Sequence, residues 1–176
     1  MAFANPEGNV EQLGQIDAMK VADFGAGVGA YTIPLAKSVG DFGRVYAIEV
    51  QKDLLPKIKN IAIEQNLTNV EVLWGDIERV GATKLSDKSI DIVVVANVIF
   101  AVEDKLGLVN EAHRVLVPKG KVLLVDWRDS YGGLGPQPDR IVSPEDARQY
   151  FEKAGFVYEK SIQTGDQHYG FIMSKD

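Results

Sequence analysis

Val21-Ala22-Asp23-Phe24-Gly25-Ala26-Gly27-Val28-Gly29-Ala30 decides how this chain is read. A short apolar run ends on glycines at alternate positions, and a helical pattern begins at Tyr31. That is a strand turning into a helix at the carboxyl edge of a sheet, where open α/β sheets bind ligands. Glycines there let backbone approach a ligand closely, and the helix behind them offers free N–H groups to an anion. Tight strand-to-helix turns also use glycine for shape alone. Three at alternate positions, in this setting, read as a binding turn.

Outward from that turn, short apolar runs alternate with helical patterns. Residues 21–24, 45–48, 70–73, 90–96 and 122–125 read as strands. The fourth carries Ile92, Val93, Val94 and Val95 in a row, so both of its faces are apolar. Such a strand belongs in the middle of a parallel sheet covered by helices. Helical patterns fill 31–39, where Pro34 is tolerated near the first turn, then 52–65 and 104–117. The last of these has Leu108, Val109, Ala112, Val115 and Leu116 as its apolar stripe. Ser143-Pro144-Glu145-Asp146 is a helix start with cap, first-position proline and acids in the first turn; Gly155 marks its end. Two further strands, 157–163 and 168–173, are joined by Thr164-Gly165-Asp166 as a hairpin. The order of elements predicts an α/β, doubly wound sheet ending in an antiparallel hairpin.

A length of 176 residues predicts one domain over 1–176, and 45% hydrophobic with 25% charged residues is ordinary for a globular chain. Nineteen Lys+Arg against 25 Asp+Glu leave −6, which disfavours an extended nucleic-acid footprint. Cysteine is absent. Disulfides, thiolate metal sites, a cysteine nucleophile and thiolate capture of arsenite are thereby excluded. The start, MAFANPEGNV, lacks the regions of a signal peptide, and the most apolar stretch, 92–102, is too short to span a bilayer. The expectation is a cytoplasmic protein with no membrane partner.

The string GAGVGA also satisfies the dinucleotide fingerprint if Ala30 is its third element. Glu49, ending the second strand, fits a carboxylate accepting from ribose hydroxyls, which nicotinamide and adenosyl ligands both require. Two features separate them. Asp23, two residues before Gly25, is placed to face a cationic amino group rather than a pyrophosphate. Asp76, in Gly75-Asp76-Ile77 after the third strand, is placed to accept from an adenine amine beside Ile77; the plainer reading is a turn residue or helix cap.

Asp23 to Gly29, Glu49, Gly75-Asp76 and the segment 91–126 resemble the successive motifs of class I S-adenosylmethionine-dependent methyltransferases. Within them the likeness is to the broad type-11 group that includes ubiquinone/menaquinone C-methyltransferases. It covers residues 20 to 126; beyond that the chain matches in its helix–strand–hairpin order. The run 111–121, Glu-Ala-His-Arg-Val-Leu-Val-Pro-Lys-Gly-Lys, resembles the group's helix and turn before strand five, with Lys119 where the group has Gly. The resemblance implies a Rossmann-like sheet of order 3-2-1-4-5-7-6 with strand seven antiparallel, S-adenosyl-L-methionine as cofactor, and no metal. It places Gly25, Ala26, Gly27 and Gly29 around the methionine portion and Glu49 with Val50 at the ribose. Asp76 and Ile77 fall at the adenine, and Asn97 by the sulfonium methyl.

Methyl transfer needs mainly a nucleophile held in line, and a base only where the nucleophile arrives protonated. Asn97-Val98-Ile99-Phe100 matches the Asn-Pro-Pro-Tyr/Phe signature of amino methyltransferases at its ends only, which counts against nitrogen methylation of bases. Asp126, at the exit of strand five, is the first candidate base, with a strand-end pair to Arg128 as the alternative. His168 and Tyr169 are further candidates; as neighbours on a strand they face opposite ways, so at most one points at the site. Residues 128–142 form a long Gly- and Pro-rich loop expected to border the substrate pocket, with Tyr131 as its aromatic contact. In the N-terminal segment 1–19, residues 3–15 form either a lid over the cofactor or a loose terminus. The leading function is a methyltransferase acting on a small molecule or a protein side chain. The alternatives are a catalytically silent S-adenosylmethionine-binding module and a small nicotinamide-dependent oxidoreductase.

Overall fold

The computed structural model describes residues 5–176. Seven strands form one sheet: β1 (Lys20–Phe24), β2 (Arg44–Glu49), β3 (Val70–Trp74), β4 (Ile90–Ala96), β5 (Leu116–Trp127), β6 (Phe156–Ser161) and β7 (His168–Lys175). Their order is β3-β2-β1-β4-β5-β7-β6. β7 runs antiparallel to both neighbours, and the remaining pairs are parallel. This is the order implied by the resemblance. On one face lie α1 (Pro6–Glu11), α2 (Thr32–Val39) and α3 (Leu55–Glu64); on the other lie α4 (Lys105–Val115) and α5 (Pro144–Lys153).

The apolar run in β4 is explained by that sandwich. Ile92 and Val94 join Leu35, Ala36 and Val39 of α2, while Val93 and Val95 join Leu108, Ala112 and Val115 of α4. All four side chains are buried. Removing each from water contributes about 1.5–3 kcal/mol.

Helix starts follow their local chemistry. Asp104 accepts from the Gly107 N–H at 2.8 Å, and Ser143 accepts from the Asp146 N–H at 3.0 Å. Among the boundaries that differ from the sequence reading, three have a local cause. Helix α3 begins at Leu55 rather than 52, with Pro56 in its first turn. Helix α4 ends at Val115 and β5 starts at once, because Pro118 disfavours helix at Val117; Leu116 is already extended (φ −71°, ψ 137°). Strand β6 stops at Ser161 rather than 163. The Gln163 backbone is turned instead onto the Gln12 side chain, donating to Oε1 at 2.7 Å and accepting from Nε2 at 2.9 Å.

That contact fixes the N-terminal segment. α1 packs on α2, the Asn9 amide donates to the Tyr31 hydroxyl at 2.8 Å, and the Lys160 ammonium donates to the Gln12 carbonyl at 3.0 Å. Residues 5–12 are therefore anchored on α2 and on the segment between β6 and β7, not laid across the carboxyl-edge cavity. Phe3 lies outside the described residues.

Candidate functional site

A cavity of 360 Å³ opens at the carboxyl edge of the sheet. Its walls come from four strand exits: the glycine turn after β1, residues 48–51 at the end of β2, 75–78 after β3 and 97–102 after β4.

Glu49 organises the first two. It is 4% exposed, its Oε2 accepts from the Gly27 N–H at 2.8 Å, and its Oε1 accepts from the Gln51 N–H at 2.8 Å. A carboxylate offers about four acceptor positions, so two remain. Gly27 has φ +57°, a conformation that strains side-chain-bearing residues, and a Cβ built there meets nothing within 4 Å. The space beside it belongs to the cavity. Gly25 also lines the cavity, and its N–H together with that of Ala26 bonds the Ile48 carbonyl, each at 3.0 Å. Gly29 closes the turn by donating to Ala26 at 2.8 Å.

Asp23 sits behind this turn rather than in the cavity lining. It is buried and accepts from the Thr32 hydroxyl at 2.6 Å. Burial pushes its carboxyl up to about 6; the Thr32 bond opposes the rise and the Glu49 charge adds to it. The next helix therefore holds the carboxylate that the sequence placed toward an amino group.

At the other end, Asp76 accepts from the Glu78 N–H at 2.9 Å and lines the cavity with the buried Ile77, while Val50 stands exposed at the rim. Asn97 closes the cavity beyond the glycine turn. Its φ of +55° is unusual for a non-glycine, its N–H bonds Val125 at 2.8 Å, and its Oδ1 is buried with no partner. An unpaired buried acceptor is costly unless something else satisfies it.

The candidates for proton transfer are placed elsewhere. Asp126 is buried with both oxygens engaged. Oδ2 accepts from Val98 and Ile99 at 3.1 and 2.9 Å, and Oδ1 accepts from Trp127 at 2.8 Å. Burial pushes its carboxyl up to about 6 against those hydrogen bonds. It makes no pair with Arg128, which reaches the His168 carbonyl instead. His168 is 1% exposed, neither ring nitrogen has a partner, and its ring centroid lies 4.4 Å from that of Trp127. Burial lowers its pKa, so the ring is neutral at neutral pH. Tyr169 pairs with Asp126 across β5 and β7 and stacks on Phe171. Its buried hydroxyl has no partner; burial, and then the Asp126 charge, push its pKa upward.

The loop 128–142 is tied down. Tyr131 bridges Leu134, and its hydroxyl donates to the Asp166 carbonyl at 3.2 Å. The end of the loop, at Asp139 to Val142, lines a second cavity of 260 Å³ that shares Phe100 and Val102 with the first. Among the described residues no group of three or more His, Asp or Glu is placed to hold a metal ion, and no helix is long and apolar enough to cross a membrane.

Sequence reasoning missed Thr32 as the partner of Asp23, Gln51 as the partner of Glu49, and the lining role of Val98, Phe100 and Val102. It also passed over Glu78, whose Oε2 accepts from the Glu103 and Asp104 N–H groups at 3.0 and 2.8 Å. No local pattern distinguishes that glutamate from a solvated one.

A family profile described as "Methyltransferase domain" matches residues 16–161. Demethylmenaquinone methyltransferase of Staphylococcus aureus is 31% identical over 165 residues, which cover 93% of this chain and 62% of that protein. Arsenite methyltransferase of Homo sapiens is 32% identical over 112 residues, 60% of this chain and 30% of that one. The crystal structure of a SAM dependent methyltransferase from Aquifex aeolicus superposes with a TM-score of 0.88 at 27% identity, covering 98% of this chain and 90% of that chain. The chain spans about half the length of the curated relatives it matches.

Proposed function

Because this chain belongs to the methyltransferase-domain family, of class I and with S-adenosyl-L-methionine as cofactor, we propose that it transfers a methyl group from that cofactor, held in the carboxyl-edge cavity, to a small-molecule acceptor by in-line displacement. The observation that carries the reading is the polar lining of that cavity: a fixed, buried Glu49 carboxylate with acceptor capacity to spare, and the unpartnered Asn97 Oδ1. The residues present fit the cofactor. Glu49 would accept from the ribose hydroxyls, Asp76 and Ile77 would bracket the adenine, and Gly27 leaves room beside its backbone for the methionine portion, while Gly25, packed against Val98, lines the same cavity. Asn97 Oδ1 would face the methyl end. The sulfonium supplies an already activated methyl group, so the protein's task is positioning, which is worth several kcal/mol.

A small-molecule acceptor is supported by relatives named for demethylmenaquinone and arsenite. With no cysteine in the chain, thiolate capture of arsenite is not open to it. Asp126 spends its oxygens on backbone N–H groups, and the neutral His168 beside Trp127 is buried and lines neither cavity, so the reading rests on positioning of the acceptor and not on a fixed base. Residues 1–176 act as one methyltransferase domain, with Tyr131 and the loop 128–142 on the acceptor side and the cytoplasm as its place of action. Nothing in the site favours a silent binding module or a nicotinamide enzyme. Calorimetry tests the reading: S-adenosyl-L-methionine should bind, and tight binding of a nicotinamide dinucleotide in its place would refute it.

A further inference from the structure

The cavity has two walls that do not touch along the chain. One is made by residues 75–78 after β3, the other by residues 97–102 between β4 and α4. The second wall has few backbone partners of its own, and it is hung at each end from a carboxylate belonging to another segment. At the Asn97 end, Asp126 of β5 takes the N–H groups of Val98 and Ile99. At the α4 end, Glu78 takes the N–H groups of Glu103 and Asp104. Glu78 itself belongs to the opposite wall, so that contact bridges the cavity's two sides.

A second, independent feature presses the same two segments together. Gly107, in the first turn of α4, lies against Glu78 so closely that a Cβ would drive into the Glu78 carbonyl oxygen. Its φ is not positive, so glycine is required there by the approach of backbone and not by conformation. In an ordinary helix alanine would be the better residue. Neither the ion-pair pattern nor the apolar core accounts for this contact: Glu78 is half-buried and makes none of the five salt bridges among the described residues.

We propose that Glu78 and Asp126 are positioning residues which suspend the segment 97–104 at its two ends, and that Glu78, by tying the β3 exit to the start of α4, sets the width of the cofactor cavity at its adenine end. This rests on the reading that S-adenosyl-L-methionine occupies that cavity. Glu78 acts through the wall it holds; the groups it binds are backbone N–H donors, not the cofactor. A wall held at both ends is pre-organised for its ligand, whereas one released at the α4 end must be ordered on binding, at a loss of affinity.

The test uses the full chain and four variants, Glu78→Ala, Glu78→Gln, Gly107→Ala and the double variant of Glu78→Ala with Gly107→Ala, with S-adenosyl-L-methionine and 5′-methylthioadenosine as probes. Glu78→Ala removes the strap, and affinity for both probes should fall by about tenfold, within the usual range for coupling through a positioned element. Both should fall by the same factor, because both carry the adenosine. Glu78→Gln keeps a carbonyl oxygen for the two donors and should stay within about threefold of the wild type. Gly107→Ala should lose affinity as Glu78→Ala does, and the double variant should lose no more than either alone. Hydrogen exchange supplies a readout that needs no ligand: the Glu103 and Asp104 amides should lose protection in Glu78→Ala and keep it in Glu78→Gln, with the β4 amides unchanged. Unchanged affinity in Glu78→Ala alongside unprotected Glu103 and Asp104 amides would overturn the proposal. So would equal losses in the alanine and glutamine variants. A wild-type chain that binds neither probe would overturn the cofactor reading itself, and the exchange data would still report whether the strap exists.

Discussion

Replacing Glu49 by alanine separates what the carboxylate does for the protein from what it does for the cofactor. In the free chain its two oxygens already accept from Gly27 and Gln51, each at 2.8 Å. Those bonds exist with or without ligand, so their loss falls on stability. Both N–H groups border the cavity, where water can replace the carboxylate. The expected cost is therefore about 1–2 kcal/mol, a fall of a few degrees in Tm for a chain of this size. Bonds to the ribose hydroxyls form only in the complex, so their loss falls on affinity. Hydrogen bonds to a charged acceptor contribute about 1.5–3 kcal/mol, which is roughly a ten- to hundredfold rise in Kd. Titration calorimetry with S-adenosylhomocysteine measures this directly. Repeating it with an analogue lacking the 2′-hydroxyl closes a cycle, since that analogue should lose much less on passing from wild type to Glu49→Ala. Glu49→Gln is no rescue, because its amide nitrogen would meet one of the two N–H donors. A folded Glu49→Ala chain that binds within twofold of wild type, or that penalises both ligands equally, would refute the assignment.

Gly27→Val should abolish cofactor binding while circular dichroism stays near wild type: its side chain enters open cavity space from a backbone at φ +57°. Normal binding would make the glycine a turn residue only. For Asp23, raised to about 6 by burial, the folded chain holds a proton that the unfolded chain gives up from about pH 4. The stability this contributes is full below that value and is lost as pH rises through 6. Between pH 7 and pH 4, wild type should thus gain up to about 3 kcal/mol relative to Asp23→Asn in denaturant titrations, and a pH-independent difference would contradict the burial argument. Tyr131→Ala breaks the hydroxyl contact to Asp166 and should leave S-adenosyl-L-methionine affinity within about threefold, less than ~0.7 kcal/mol. A larger loss in calorimetry would move the loop 128–142 to the cofactor's side.

The sequence by itself determined the strands, the Ser143 helix start, the glycine turn and the identities of Glu49 and Asp76 as site residues to examine, and the family resemblance added Asn97. The elements are written in short-range terms: the period of apolar residues, a serine ahead of a helix, glycines where a strand ends. The continuous apolar run of β4 even announced its place between two helical layers. Tertiary structure alone decided how the carboxylates are employed. Asp126 lies 27 positions from the Ile99 N–H that it binds, Glu78 lies 26 from that of Asp104, and Gln12 lies 151 from the Gln163 backbone that ends β6. An acid at a strand exit looks the same in a sequence whether it stands in water as a base or is buried as an acceptor of backbone N–H groups. Which of the two it becomes depends on the donors that parallel strand pairing delivers beside it. Here β4 pairs with β5 and sets residues 97–99 against Asp126, and the packing of α4 on the β3 exit sets Asp104 against Glu78.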